Sequence, residues 1–387
     1  MRVQTVILTA LLGCLSAHVA HGALPAFTWA TLPVFFHSSQ MNALTWSDAD
    51  MSIIARFPII TIEKWSGCNS TAGCYVPEQQ LYELSPMSQN TAPCPTFEES
   101  ALANAKLLRQ RNPKISVVVW YDSLRIYAPS SLNPDILDKE WQSCVRQSRT
   151  PFLEAHSEYL LHNTSEMLAL DPYIHAHVYD HRSATVRDFW RDACLNMTKT
   201  GWIDGCGADA SQQAGSYING LSPDVEAAWT AAHIAAVKAT TTAVSAAGGV
   251  VLGKLVEQLG TSTNGVLQEG CTASNATVNT LRSAAAAAKR DATRYIYECH
   301  SDGTESDMAA FLVGAGVDAY WGFGTWVSPN GGVASSWILE FELPLGAPLS
   351  DATYTDPIWV RRFESGTNVT FNARTKVGTI SWGAKHG

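Results

Sequence analysis

Along most of this chain, short apolar runs of strand-like composition alternate with helix-like segments, and no linker interrupts the alternation. Eight such runs are legible: Phe27–His37, Phe57–Trp65, Ile115–Tyr121, Gly201–Asp209, Gly249–Val256, Gly265–Glu269, Arg294–Cys299 and Ala319–Trp326. Helical patterns occupy Glu98–Gln110, Thr185–Met197, Pro223–Ala247, Val278–Arg290 and Ser306–Gly314. Strands buried on both faces read as nearly continuous apolar sequence, as in ISVVVWY at Ile115–Tyr121. Alternation of this kind over about 300 residues predicts an α/β fold, with a parallel sheet closed into a (β/α)8 TIM barrel.

What flanks the alternation bounds the rest. Arg2, the apolar run Val6–Val19 and the small-residue site Ala20-His21-Gly22 predict a signal peptide over residues 1–22. No later apolar run is long enough to span a bilayer, so a secreted or lumenal chain with no membrane partner is expected. The barrel is assigned to residues 23–345, with a Pro-, Cys- and Ser-rich insertion at Asn69–Thr96 and an irregular stretch at 128–178. Past it, Trp359–Phe363 and Asn368–Phe371 flank Ser365-Gly366, and Thr379–Trp382 offers a third strand. Residues 346–387 therefore read as a small C-terminal β appendage packed on the barrel.

Losing the signal removes Cys14 and leaves eight of nine cysteines, an even number suited to disulfides in an oxidising compartment. Cys68 and Cys74, beside Gly67 and Gly73, are expected to close a small loop. Cys271 and Cys299 each follow a strand end and could link neighbouring strands, and the other pairings stay open. Sequons at Asn69, Asn163, Asn196, Asn275 and Asn368 predict surface glycosylation.

The net charge is −9, from 26 basic and 35 acidic residues, and no Lys/Arg cluster resembles a nucleic-acid footprint. The 13 Trp and 12 Tyr supply faces able to stack on sugar rings, although many must belong to the core. No cofactor motif is present, and a monomer is expected.

In such a barrel the chemistry sits at the carboxyl ends of the strands. Acids at predicted strand ends are Glu63, Asp122, Asp209, Glu269 and Glu298; Asp204 opens the Asp-Gly-x-x-x-Asp run that ends at Asp209. Carboxylates gathered at one rim are what glycoside hydrolysis needs, one as acid and another as nucleophile or base. Their surroundings must then split their pKa values. For each acid the alternative is a buried carboxylate bonded to backbone or Arg.

Four stretches carry a family resemblance: IARFPIITIE (Ile54–Glu63), LLRQRNPKISVVVWYDS (Leu107–Ser123), YDHRSATVRDFW with GWIDGCGAD (Tyr179–Trp190, Gly201–Asp209), and LPLGAP with WVRRFESGTNVTFN (Leu343–Pro348, Trp359–Asn372). Together they resemble the glycosyl-hydrolase-like barrel families and, more distantly, the endo-α-1,4-polygalactosaminidase family. That resemblance implies a secreted glycoside hydrolase cleaving a polysaccharide or glycoconjugate, with a polysaccharide or oligosaccharide as its binding partner. Its catalytic pair would be Asp209 ending the fourth strand and Glu269 ending the sixth, acting as nucleophile and general acid/base of a retaining mechanism. Substrate contacts would come from Asp204, Asp122 and Glu298, with Trp120, Tyr121, Trp321 and Trp326 as a sugar platform. The chain departs from the pattern at Ala210-Ser211 and in its Cys-bearing insertions. Two other readings stand beside it: a non-catalytic carbohydrate-binding barrel, and a metal-dependent hydrolase using His175 and His177 with Asp180.

Overall fold

The computed structural model describes residues 24–40, 44–64, 66, 96–126, 156–165, 169, 177–209, 218, 220–254, 262–291, 295–301, 303–324, 327–328, 333 and 336–383. The signal segment, Cys68, Cys74, Asn69, His175 and Trp326 lie outside these residues.

Eight parallel strands make one sheet: β1 (Phe35–Gln40), β2 (Ile59–Glu63), β3 (Ser116–Asp122), β4 (Gly205–Asp209), β5 (Val250–Lys254), β6 (Gly265–Gln268), β7 (Ile296–Ser301) and β8 (Ala319–Phe323). Their order in the sheet is their order in the chain. A parallel bridge from Val34 to Trp321, with Trp321 N donating to Pro33 O at 2.9 Å, returns β8 to β1 and all but closes the barrel. Helices α1 (Asp48–Ile54), α2 (Phe97–Arg111), α3 (Ala184–Lys199), α4 (Pro223–Ala246), α5 (Asn275–Asp291) and α6 (Glu305–Gly314) lie between the strands.

Local chemistry explains where these helices begin. Thr96 and Glu99 form a reciprocal capping box ahead of α2, and Thr304 with Asp307 does the same for α6. Ser222 caps α4 directly before Pro223, whose fixed φ suits the first turn. α1, which no sequence pattern singled out, starts on Ser47, whose hydroxyl accepts from Asp50 N at 3.1 Å.

The period of two along each strand divides the core in two. Phe35, Ile59, Val118, Trp120, Leu252, Leu267, Ile296 and Tyr320 form one cluster inside the barrel, joined by Leu24 and Phe27 from the segment before β1. Their strand neighbours Phe36, Ile60, Val119, Tyr121, Cys206, Val251, Val266, Tyr297 and Trp321 form the larger cluster under the helices. Gly207 leaves the space that the Trp120 indole fills: a Cβ there would stand 1.5 Å from the ring.

The expected strand starts shift at two places. β1 begins at Phe35 rather than Phe27, because Leu24 and Phe27 are used to pack against the inner cluster. β4 begins at Gly205 rather than Gly201; Trp202 lies outside it at the surface.

The tail forms a separate antiparallel sheet of four strands, β9 (Thr353–Thr355), β10 (Ile358–Arg362), β11 (Asn368–Asn372) and β12 (Val377–Ser381). It docks on α6. Gly378 N donates to Ser306 Oγ at 3.0 Å and Ile380 N to Glu305 Oε1 at 3.0 Å. Among the described residues two disulfides tie the barrel wall: Cys194–Cys206 joins α3 to β4, and Cys271–Cys299 joins the end of β6 to β7. Among the described residues no helix is long and apolar enough to cross a membrane.

Candidate active site

β4 delivers Asp209 to the carboxyl-terminal rim, where its register partner on β3 is Asp122. Lys64, directly after β2, pairs with Asp209 Oδ2. Lys254, the last residue of β5, brings its Nζ to 2.5 Å from Asp209 Oδ1 and 3.0 Å from Glu269 Oε1. One ammonium thus spans the two expected catalytic carboxylates. Lys254 is held firmly charged: burial works against its charge, but the attraction of Asp209 and Glu269 outweighs that and raises its pKa.

The network continues past Asp209. Lys64 Nζ lies 3.2 Å from Glu63 Oε2, and His37 Nε2 lies 3.4 Å from Glu63 Oε1. Burial pushes the Glu63 carboxyl upward, yet Lys64 and the His37 bond prevail and its pKa is lowered, so it is ionised. Asp209 is buried with a side chain only 6% exposed, whereas the Glu269 side chain is 38% exposed. The two acids therefore differ in setting, one enclosed between ammonium groups and the other open to solvent.

The backbone at Asp209 is fixed from behind. Ser123 N and Oγ both donate to Asp209 O, at 3.0 and 2.7 Å. With the hydroxyl proton so committed, His233 Nε2, 3.1 Å from Ser123 Oγ, acts as donor. His181 stacks on His233 with ring centroids 4.4 Å apart and donates from Nε2 to Ser123 O at 2.6 Å. Burial lowers both imidazoles, His181 to about 4, and keeps this pair neutral near neutral pH.

Below the rim, Glu298 on β7 reaches across the lumen to Thr61 on β2, whose hydroxyl lies 3.2 and 3.3 Å from its two oxygens. It is fully buried, and burial pushes its pKa up to about 8 against the Thr61 bond. His300, further along β7, is lowered to about 3 by burial and then by His37. Asp122 is buried and accepts from Leu124 N at 2.9 Å, holding the turn after β3.

Other expected site residues fall elsewhere. Asp204 precedes β4 and so lies at the opposite, amino-terminal end, paired with Arg109 and accepting Val117 N at 2.7 Å. Tyr121 and Trp321 point away from the lumen, against Phe97 at 5.1 Å and Phe341 at 5.8 Å respectively. Trp120 does face inward, but as a fully buried floor with its ring 5.8 Å from His37. The strand period explains this division: consecutive aromatic residues cannot face the same side. His177 sits in a two-residue ladder, Arg125–Ile126 with His177–Val178. Among the described residues no group of three His, Cys, Asp or Glu is placed to hold a metal.

Sequence reasoning passed over Lys64, Lys254, His37, His181 and His233. Lys64 and Lys254 did leave a signal, since each closes a strand run (IITIEK, VVLGK) whose other residues are apolar or small save for Thr61 and Glu63. His181 comes from an irregular segment and His233 from a helix, where no period points at the rim, while His37 stands inside the run of β1, and nothing in that run sets it apart as a site residue.

The profile of hypothetical glycosyl hydrolase family 15 matches residues 109–367. No curated protein matches the chain. Solved structures similar to it include Ega3 from Aspergillus fumigatus in complex with galactosamine, at 14% identity over 79% of this chain and 94% of that one, TM-score 0.43. The glycoside hydrolase domain of PelA from Pseudomonas aeruginosa is 8% identical over 76% and 96%, TM-score 0.42. An α-amylase from Geobacillus thermoleovorans, complexed with acarbose, is 11% identical over 89% and 87%, TM-score 0.47.

Proposed function

Since the chain belongs to hypothetical glycosyl hydrolase family 15, we propose that it is a secreted glycosidase cleaving a polysaccharide or oligosaccharide with Asp209 as nucleophile and Glu269 as general acid/base. The observation that carries this reading is the shared Lys254 ammonium, 2.5 Å from one carboxylate and 3.0 Å from the other. The nearest oxygens of the pair can be no further apart than those two legs end to end. That favours the retaining spacing of about 5–5.5 Å over the roughly 6.5–9.5 Å of inverting enzymes.

The division of labour follows from the two settings. Lys64 and Lys254 compensate the charge of an ionised Asp209, and the Ser123 bonds hold its backbone, as a nucleophile requires. Glu269, open to solvent, can exchange protons between turnovers. In the first step an Asp209 oxygen bonds to the anomeric carbon while the glycosidic C–O bond breaks and Glu269 gives its proton to the leaving oxygen. In the second, Glu269 takes a proton from water as that water attacks the anomeric carbon and releases the Asp209 carboxylate.

One observation favours a second assignment of the acid. Glu298, pushed up to about 8, carries a proton at neutral pH, although it lies fully buried beneath the rim. Proton NMR of the first product formed from a polysaccharide panel tests the proposal. Retention of the substrate's anomeric configuration is expected; first-formed product of inverted configuration would overturn the nucleophile role of Asp209.

A further inference from the structure

At the amino-terminal end of the barrel, opposite Asp209, a cavity of about 560 Å³ opens between α5, the loop from α6 into β8, and the C-terminal sheet. Ligand pockets commonly fall in this size range. Among the described residues its charged lining is Arg282 and Lys289 from α5, Arg361 from β10, and Asp351 as the single carboxylate. Trp29, from the segment before β1, supplies a half-buried indole wall.

Arg361 is the unusual member. Its residue is 7% exposed, and its Nη1 donates to Leu312 O at 2.9 Å in the last turn of α6 and to Ala315 O at 2.5 Å at the cap that follows it. Those carbonyls carry partial charge only, and Arg361 Nε has no acceptor among the described residues. Burial lowers its pKa to about 10, opposed by Asp351 and reinforced by Arg282. Asp351 is itself shared with Lys289, 3.6 Å away. Three cations thus face one carboxylate, a local positive excess in a chain of net charge −9. A buried cation short of counter-charge is stabilised by an anion that enters beside it. The guanidinium carbon of Arg361 lies over one face of Trp29, 5.7 Å from the ring centroid, so the charge and the indole adjoin.

From the cationic lining and the adjoining indole we propose a second saccharide site here, one that takes a sugar bearing a carboxylate or sulfate group. The anionic group meets Arg361, Arg282 and Lys289, while a pyranose face lies on Trp29. This site stands apart from the carboxylate pair and does not depend on the roles of Asp209 and Glu269. It would anchor an acidic glycan on the face away from the rim, without hydrolysing it.

Hydrogen exchange and calorimetry on the full chain test this with four probes: a glucuronate-containing disaccharide, a sulfated disaccharide, a neutral disaccharide and inorganic sulfate. The acidic disaccharides are expected to protect the loop around Gly316 and the segment Ser350–Ala352, and to bind more weakly as salt rises. Arg282→Gln with Lys289→Gln should weaken that binding at least tenfold and leave hydrolysis at the rim unchanged. Should the double variant fail to fold, Lys289→Gln alone, at a well exposed position, is expected to weaken binding about threefold. The proposal is overturned if neither acidic disaccharide protects this face, if the neutral one protects it equally, or if the variants bind like wild type. Equal protection by inorganic sulfate alone would also overturn it, because the indole would then contribute nothing.

Discussion

Asp204 and Asp209 flank the same strand and have opposite surroundings. Asp209 meets two ammonium groups at the carboxyl-terminal rim, while Asp204 is paired with Arg109 beneath the barrel and bonded to Val117 N. Removing one partner of a buried pair leaves an uncompensated charge and costs about 3–5 kcal/mol. Asp204→Ala is therefore expected to lose stability of that order in denaturant unfolding, with kcat/KM of the remaining folded enzyme unchanged. A selective rise in KM at full stability would instead give Asp204 a substrate contact. Glu298 makes a different prediction. In the fold it keeps its proton to about pH 8, whereas its ordinary value is 4.5. Between those values the unfolded chain binds fewer protons, so the contribution of Glu298 to stability falls as pH rises from about 4.5 to about 8. Glu298→Gln should gain on wild type across that window, by at most about 1.4 kcal/mol per pH unit, and run parallel to it below. A stability difference that does not change with pH would contradict the raised value.

At the scale of elements, the strands and helices were largely legible because burial on both faces leaves a continuous apolar signature and the caps are local. α2, α4 and α6 start on Thr96, Ser222 and Thr304, each followed by the acid or proline that a helix start favours. α1 was missed because seven residues are too few for a periodic signal. The strand run at Gly201 was overextended because Trp202 and Ile203 are apolar, although only Ile203 is buried. The disulfides show the same limit. Cys271 and Cys299 stand at expected strand ends, where a link between neighbouring strands is possible, and they are bonded. Cys194–Cys206 joins a helix to the strand that follows it, a contact that needs the packed geometry. Because that strand carries Asp209, the pair braces the site's main element. Replacing both with Ala is expected to cost about 2–4 kcal/mol, read by guanidinium unfolding under non-reducing conditions. No change in midpoint would mean that α3 and β4 hold together without the bond.

For the molecule as a whole, the barrel and its rim acids were legible, and the cluster around them was not. A strand end predicts which rim a carboxylate occupies, but not what meets it there. Lys254 ends β5, the direct sheet neighbour of β4, Lys64 follows β2, two strands away, and His233 reaches Ser123 from a helix; only the packed sheet and its helices bring them together around Asp209. Of the expected aromatic platform, Tyr121 turns away from the lumen because adjacent residues such as Trp120 and Tyr121 take opposite faces of the sheet, and Trp326 lies outside the described residues. The central claim is that the Asp209–Glu269 pair performs glycoside hydrolysis. Its most direct test is turnover of a hydrolysed polysaccharide by wild type, Asp209→Asn and Glu269→Gln side by side, each checked for native stability. Both variants should fall by about 10³-fold or more, since each removes a group the reaction cannot replace. Glu269→Gln should recover in part on substrates with activated leaving groups, which need no proton, and Asp209→Asn should not. Near-wild-type turnover in either variant would contradict the account, and a collapse seen only in Glu298→Gln would move the acid to β7.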